Sequence, residues 1–354
     1  MSTSDGFVIG TTKIIEHGPS SELWDLVILG DGYRASEMTK YHTDVQNFLD
    51  YLNATAPFNE LWCGINVHRV DVASTDSGAD DPAACGDGST GTGATRATYF
   101  DSTFCVNNTR RLLAGDPATA LTVSNGQVPE GNATMVIVNS PIYGGAGGDV
   151  AWFSTHTDSA EIGIHELGHS YFGLTDEYGD IVNTYSGTEP EAANATINTD
   201  RATIKWRAFI QPTTPLPTTH NSDCTRDGPA SSPVPAGTVG AFEGAARAHC
   251  GAYRPEFNCR MRTLGIRFCA VCQARIRQLI PVPVGEAVQC ATVLMQRVSG
   301  DRFVSTKVFR AIDMRQHREG TASELFVRST SNGFLRANLA SVIGPLVKEV
   351  EVDE

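Results

Sequence analysis

The stretch GIHELGHSYFGLTDEYGD, residues 163–180, carries the pattern His-Glu-x-x-His and constrains the fold more than any other segment. Two histidines four residues apart share one face of an α-helix, so His165 and His169 can direct their ring nitrogens at one ion. Glu166 lies beside them, where it can hold a metal-bound water and accept its proton. Zn²⁺ suits imidazole ligands and lowers the pKa of bound water. The pattern therefore predicts a helix carrying one zinc ion, with Glu166 as the general base.

A third ligand is expected just after this helix. Gly173 is placed to end it, because glycine readily adopts the left-handed conformation of a C-terminal cap. The metzincin pattern, His-Glu-x-x-His-x-x-Gly-x-x-His, uses such a turn to bring a third ligand back to the metal. This chain has one residue more before the glycine, but the interval after it is unchanged and leads to Asp176. Asp176 is the predicted third ligand; Glu177 is the alternative, or a partner that orients a ligand histidine.

A second signal lies in GAYRPEFNCRMRTLGIRFCAVC, residues 251–272. Metzincins carry a tight turn with a methionine beneath the zinc, often written Ser/Cys-x-Met, and Cys259-Arg260-Met261 fits that form. Met261 is therefore the predicted methionine of that turn. The oxyanion formed during amide hydrolysis needs a stabiliser besides the metal. Tyr178 and Tyr253, which lie close to the two motifs, are the candidates.

The hydrophobic patterns before the motif predict an α/β (α+β) fold, in which a mixed, twisted sheet packs against the active-site helix. Asp158 or Ser159 is expected to cap that helix, with Glu161 completing a capping box. The strand GDVAWFS just before it could form the sheet edge along which an extended substrate adds. The predicted elements are a strand (22–33), a helix capped by Ser36 (34–53), a strand (64–74), a buried strand (133–140) and the short strand before the motif helix.

The pattern changes after PVPVG, residues 281–285, where short alternating strands begin. We therefore expect a catalytic domain over residues 1–281 and a small β-rich C-terminal domain over residues 282–354. Residues 212–237 are rich in Pro, Ser and Thr and predict a long irregular excursion.

Composition excludes two classes of partner. A formal net charge of −13 argues against nucleic acid, whose phosphates require clustered Lys and Arg. No run reaches the roughly 18 apolar residues of a membrane span. The chain starts without the pattern of a secretory signal, whereas nine cysteines are many for a reduced cytosolic protein, so localisation stays open.

Three weaker features allow alternatives. DSGADD, residues 76–81, has the oxygen density of a calcium loop but not the EF-hand order, so a solvated turn is expected and Ca²⁺ is the alternative. GGAGG reads as a glycine turn, because it lacks the lysine and hydroxyl residue of a phosphate loop. Four cysteines could form a structural zinc site, although their spacing does not give two C-x-x-C pairs; disulfides bracing the methionine turn or buried thiols are the other options. These cysteines are Cys250, Cys259, Cys269 and Cys272.

Several separated blocks together resemble the IgA metallopeptidase family, a metzincin-like group of proteases. They are VILGDGYRASEMTKY, FNELWCGINVHRVDVASTDSGADDP, VNSPIYGGAGG, HELGHSYFGLTDEYG and GAFEGAARAHCGAYRPEFNCRMR with FCAVC, which span roughly residues 25–280 in the family's order. The resemblance implies that His165 and His169 bind zinc, that Glu166 is the catalytic base, that Asp176 is the third ligand and that Met261 lies in the methionine turn. Members of this family are commonly exported.

The favoured interpretation is a zinc metalloendopeptidase that acts on protein or peptide substrates. Two alternatives remain: a catalytically silent binding or adhesion protein on a peptidase scaffold, and a zinc hydrolase of another amide. Glu166 favours an enzyme, because a purely structural zinc site needs no general base.

Overall fold

The strand Trp24–Asp31 (β2) is buried along its whole length at the centre of a six-stranded mixed sheet. Its parallel neighbours are Ile65–Ser74 (β3) and Ala133–Val138 (β4), and Ala151–Ser154 (β6) continues the parallel run beyond β4. Strands covered on both faces are continuously apolar, which explains sequences such as DLVILG. Antiparallel strands close the two sides of the sheet, whose order is β1-β3-β2-β4-β6-β5, with β1 at Gly6–Ile15 and β5 at Gly145–Ala146.

Helices cover both faces of this sheet. Alternate residues of β2 point to opposite sides, so that Leu26 packs with helices Met38–Ala54 (α1) and Ser159–Ser170 (α4), and Val27 packs with Pro117–Gln127 (α3). Two further helices join the first of these two cores: Phe58–Leu61 (α2) and Ala270–Leu279 (α5). Short 3₁₀ helices lie at Ala35–Glu37, Trp62–Gly64, Val106–Asn108 and Arg207–Phe209.

A second, three-stranded sheet follows the motif helix. Strand Gly179–Thr184 (β7) runs parallel to Arg247–Arg254 (β9), which pairs antiparallel with Phe242–Ala245 (β8). Residues 212–237 contain neither helix nor strand, as predicted. Two mixed sheets with few helices make this an α+β fold.

The computed structural model describes residues 5–281 and four further strands. These strands form two antiparallel hairpins, Val293–Ser299 (β10) with Arg302–Phe309 (β11) and Glu324–Arg328 (β12) with Phe334–Asn338 (β13). The rest of the predicted C-terminal domain lies outside the described residues, so the domain boundary stays a prediction. Within the described part, no helix is both long and apolar enough to cross a membrane.

One predicted helix cap is wrong: helix α1 begins at Met38 after a 3₁₀ turn, and Ser36 lies inside that turn. Asp158 is the N-cap residue of helix α4, as predicted, but its side chain makes no capping hydrogen bond. Glu161 reaches away from the helix start instead: its carboxylate lies 2.7 Å from Arg260 Nη1 and accepts a hydrogen bond from the Gly265 backbone N–H. This pairing ties the helix to the segment that contains the predicted methionine turn.

The predicted substrate-binding edge is also wrong. Strand β6 lies between β4 and β5 rather than at the edge, and its Trp152 and Phe153 are buried in the two cores. The edge strand is β5, formed by part of the GGAGG segment. Its Gly145 already has backbone partners on the outer side, because Gly145 N–H donates to the carbonyl of Arg111 and the carbonyl of Gly145 accepts from Leu113 N–H. A substrate strand cannot add at that residue without displacing these bonds.

Packing of α4 on the sheet can be tested with two helical glycines. A Cβ at Gly163 would lie 2.8 Å from Phe48 Cε2 and 3.1 Å from Phe153 Cδ1, whereas a Cβ at Gly126 in α3 would have no neighbour within 4 Å. We expect Gly163→Ala to lower the free energy of unfolding by about 1–3 kcal/mol because the rings must move. Gly126→Ala should instead raise it by about 0.5–1 kcal/mol through helix propensity. Denaturant unfolding of both variants measures the contrast; equal stabilities would contradict this account of the packing.

Candidate metal centre

The motif helix presents its two histidines on one face. His165 Nε2 and His169 Nε2 lie 3.1 Å apart. The helix ends at Ser170, three residues before Gly173, which adopts a left-handed φ of +61°. The backbone N–H of Leu174 returns to the carbonyl of Gly168, so the chain turns back under the histidines.

This turn brings Asp176 to both histidines. Its Oδ1 lies 3.3 Å from His165 Nε2 and 3.3 Å from His169 Nε2. A tetrahedral ion with bonds of about 2.0–2.1 Å separates its ligand atoms by about 3.3 Å. The three atoms are therefore spaced like the ligands of one small ion. We call His165, His169 and Asp176 the histidine centre.

The other ring nitrogens determine which histidine atoms face the centre. His165 Nδ1 lies 3.0 Å from the carbonyl of Arg260, and His169 Nδ1 lies 2.8 Å from the carbonyl of Leu174. A carbonyl only accepts, so both Nδ1 atoms must carry the proton that is donated. In the neutral rings the two Nε2 lone pairs then face each other, an arrangement that requires a cation or a proton between them.

The donor set fits zinc. Two imidazole nitrogens and one carboxylate oxygen leave the fourth tetrahedral position open, as in catalytic rather than structural zinc sites. Asp176 Oδ1 is buried and has no partner that meets hydrogen-bond geometry, so this oxygen is available to a metal ion.

Glu166 lies beside this cluster. One of its carboxylate oxygens is within 4.8 Å of the ligand nitrogens of His165 and His169, and the residue lines the adjacent cleft. Burial raises the pKa of Glu166, while the charges of the two histidines partly offset the increase. A carboxylate whose pKa is shifted towards neutrality is a better proton acceptor and donor near pH 7.

The cleft beside the histidines has a volume of about 270 Å³, and both His165 and Glu166 line it. Tyr178 lies in its wall, where Arg111 Nη2 donates to the Tyr178 hydroxyl at 3.4 Å. Burial and the charge of Asp176 raise the pKa of Tyr178, so the phenol keeps its proton and can donate. Asp180 holds Arg111 in place at 3.2 Å. The remaining lining residues are Tyr143, Ile162, Arg260, Arg262, Thr263 and Leu264.

Met261 lies beneath the motif helix and is fully buried. A Cβ placed on Gly168 would lie 2.7 Å from Met261 Sδ, so the helix approaches the methionine at its glycine. The carbonyl of Met261 accepts the backbone N–H of Glu177 at 2.8 Å. The methionine segment thus supports both the helix and the strand-like stretch that carries Asp176.

Glu177, the alternative third ligand, points elsewhere. Its Oε1 accepts a hydrogen bond from Asn194 Nδ2 at 2.9 Å and lies 3.4 Å from Cys272 Sγ. Of the two neighbouring carboxylates, Asp176 alone meets the histidines. Tyr253 does not line the cleft; it belongs to β9, where its backbone pairs with Thr196 and its ring packs on the core.

The acidic loop at residues 76–81 satisfies its carboxylates within the protein. Asp76 accepts from Ala97 N–H, and Asp81 accepts from Thr92 and lies 2.6 Å from Arg110 Nη2. Asp80 accepts from the Arg96 N–H. These bonds hold the loop as a turn, and among residues 5–281 the only side-chain groups spaced to hold a metal are at the histidine motif and around Glu177.

The described cysteines divide into two sets. The first set is disulfide-bonded and consists of Cys85 with Cys105, Cys224 with Cys250, and Cys63. Pairing with Cys224 removes Cys250 from the predicted four-cysteine group. The second set is free and buried: Cys259, Cys269 and Cys272.

Sequence reasoning missed Arg111 and Tyr143. Both reach the cleft from segments outside the motif helix, and no chemical motif marks either of them. Residues 111–113 run along β5, which places Arg111 at the cleft, and Tyr143 lies two residues before that strand.

Comparison with known proteins gives one family. A model described as IgA Peptidase M64 matches residues 12–228 and 230–280. A search of curated proteins found no match. The family match covers most of the chain and every residue of the histidine centre.

The centre predicts a pH-dependent metal affinity. Burial lowers the pKa of His169, but the Asp176 carboxylate 3.3 Å from its Nε2 and the charge of Glu166 outweigh burial and raise it to about 9. Below about pH 9 the ring of His169 is protonated, so Zn²⁺ must displace this proton in order to bind. The apparent Kd for Zn²⁺ should therefore fall about tenfold per pH unit from pH 7 to 8. Competition with a chromogenic chelator of known protonation measures this slope. In Asp176→Asn the slope should be lost above about pH 7; a wild-type affinity independent of pH would contradict the assignment.

Proposed function

Because the chain belongs to the IgA peptidase M64 family and is therefore a peptidase, we propose that it is a zinc-dependent metalloendopeptidase. The family supports protein or peptide as the substrate class. The zinc, its ligands, Glu166 as general base and internal cleavage of the substrate are the parts that we add.

One observation carries the proposal: His165 Nε2, His169 Nε2 and Asp176 Oδ1 converge within 3.3 Å of one another beside the Glu166 carboxylate. His165, His169 and Asp176 would hold the ion, with the Nδ1–H donors fixing both rings. A bound Zn²⁺ supplies Lewis acidity that polarises a scissile carbonyl and lowers the pKa of water.

Glu166 performs the proton transfers. Its carboxylate takes a proton from the attacking water as the new carbon–oxygen bond forms, and then delivers this proton to the amide nitrogen as the carbon–nitrogen bond breaks. The raised pKa of Glu166 suits both steps, because the same group must accept and then release the proton.

Tyr178 and Arg111 are the proposed stabilisers of the oxyanion. Both line the cleft beside Glu166, the phenol is protonated, and Asp180 anchors the guanidinium. Donors that are fixed before the reaction stabilise developing charge without reorganisation. Tyr253 is a weaker candidate, because it lies outside the cleft lining.

The two other interpretations are less well supported. A silent binding scaffold would leave the buried Glu166 beside the histidines without a use, and the family is one of peptidases. A hydrolase of another amide shares the same proton chemistry, but peptidase membership favours peptide bonds.

Glu166→Gln separates chemistry from folding. Glutamine keeps the shape of the glutamate side chain but cannot accept the proton. The rate of cleavage of a denatured-protein or peptide library should therefore fall about 10²-fold to 10⁴-fold. Zinc content should stay unchanged, because the ligands are intact. Glu191→Gln, at an exposed position, is the control and should keep wild-type activity. A fully active Glu166→Gln enzyme would overturn the proposed general base.

Asp176→Ala tests the third ligand. Removing the carboxylate that lies 3.3 Å from both histidines should weaken zinc binding at this centre, with loss of cleavage that added Zn²⁺ partly restores. Asp158→Ala is the control, because that carboxylate lies at the exposed start of the same helix. Isothermal titration and cleavage assays measure both variants. Unchanged zinc affinity and activity in Asp176→Ala would rule out Asp176 as a ligand.

A further inference from the structure

A second cluster of metal-ligating side chains lies close to the first. It consists of four buried residues, and one potential ligand atom from each lies within 4.8 Å of the others. We call it the thiol cluster; its members are Glu177, Cys259, Cys269 and Cys272.

The distances within the thiol cluster resemble the edges of a tetrahedron around a metal ion. Cys259 Sγ and Cys272 Sγ lie 3.7 Å apart, and Glu177 Oε1 lies 3.4 Å from Cys272 Sγ and 3.8 Å from Cys269 Sγ. With zinc–sulfur bonds of about 2.3 Å and zinc–oxygen bonds of about 2.0–2.2 Å, such edges measure about 3.8 Å and about 3.5 Å.

Backbone N–H groups point at two of the three sulfur atoms of the thiol cluster. The backbone N–H of Cys269 points at Cys259 Sγ at 3.2 Å, and the N–H of Cys272 points at Cys269 Sγ at 3.4 Å. Cys269 is also the N-cap of α5, where the helix dipole stabilises anions. N–H donors and a helix N-terminus both stabilise thiolates, which are the form that binds metals.

Glu177 is the member that thiol chemistry alone does not explain. Its side chain is fully buried among sulfur atoms, and its Oε2 has no hydrogen-bond partner. Asn194 orients the carboxylate by donating to its Oε1. Asn194 also accepts a hydrogen bond from the Thr175 backbone N–H and donates one to the Thr175 carbonyl. An isolated buried carboxylate is costly unless a cation or donors compensate it.

The other described cysteines argue against uncompensated thiols at this position. Cys63, Cys85, Cys105, Cys224 and Cys250 are all disulfide-bonded, whereas the three cysteines of the thiol cluster are free. Close thiols in a disulfide-forming environment tend to oxidise. A bound metal ion both protects such sulfurs and compensates the buried carboxylate.

We propose that Glu177, Cys259, Cys269 and Cys272 bind a second, structural Zn²⁺ ion. Thiolate ligands select zinc over Mg²⁺ and Ca²⁺, and four protein ligands close the coordination shell, as structural sites require. This ion does not depend on the proposed peptidase chemistry.

Its position suits a brace for the histidine centre. Glu177 follows Asp176 directly, and Cys259 precedes Arg260, whose carbonyl orients His165. Cys269 and Cys272 fasten both segments to α5. The second ion would therefore fix the backbone that presents the third ligand and one histidine of the first.

Metal analysis and X-ray absorption of the full-length protein, purified in the presence of Zn²⁺, test the proposal. We expect two zinc ions per chain, with about 1.5 sulfur atoms per zinc on average at about 2.3 Å. His165→Ala/His169→Ala should retain one zinc with about three sulfur ligands, and it should not cleave peptide.

Matched double substitutions identify the ligands. Cys269→Ser/Cys272→Ser should lose the sulfur-bound zinc, whereas Cys85→Ser/Cys105→Ser, which removes a disulfide instead, should keep both ions. The wild-type absorption spectrum remains decisive if the first variant fails to fold.

The outcomes separate this proposal from the proposed function. One zinc without sulfur ligands in wild type, or iron in place of zinc, would overturn the second site and leave the peptidase proposal standing. A disulfide between two of the three cysteines would leave only one of them to be alkylated in the denatured, unreduced protein. This labelling, together with the absence of sulfur-bound zinc, would overturn the second site in favour of a disulfide. Sulfur-bound zinc alone, with no zinc on the histidines, would support the second site and contradict the catalytic one.

Discussion

Two adjacent carbonyl groups hold the histidine centre together. The carbonyl of Arg260 fixes the ring of His165, and the carbonyl of Met261 accepts the backbone N–H of Glu177, the residue after Asp176. A single short segment thus positions the ring of His165 on the helix and the carboxylate of Asp176 beyond it. Glu161, on the same helix, pairs with the Arg260 side chain and closes the connection from the other side. The ligand geometry depends on this segment because α4 ends at Ser170, before it could position Asp176 itself.

The sequence predicted those parts of the fold that are local. The apolar run of β2 and the helical spacing of α1 each identify an element, because burial imposes a period on neighbouring residues. Helix starts were less accurate, since Glu161 serves a long-range ion pair rather than a cap. The place of β6 inside the sheet could not be read, because the edge strand β5 has only two residues and therefore no period of its own.

The candidate site divides in the same way. His165, Glu166 and His169 are set by helical spacing, and Asp176 was found by its distance from Gly173, although the helix ends earlier than expected. Arg111 could not be found, because it reaches the cleft through the pairing of its neighbours with Gly145. The contacts of Glu177 with sulfur could not be predicted, because its partners come from residues 259–272 and neither spacing nor motif connects these to an acidic residue.

The two carboxylates of the acidic pair Asp176-Glu177, which follows the glycine turn, contact two different clusters. Asp176 meets two imidazoles and Glu177 meets three sulfurs, so neighbouring side chains serve different clusters from one stretch of backbone. The two residues share one peptide bond, and its N–H donates to the carbonyl of Met261. A rigid thiol cluster would therefore limit the motion of Asp176, and a carboxylate that is held in place before it binds a metal ion loses less conformational entropy on binding.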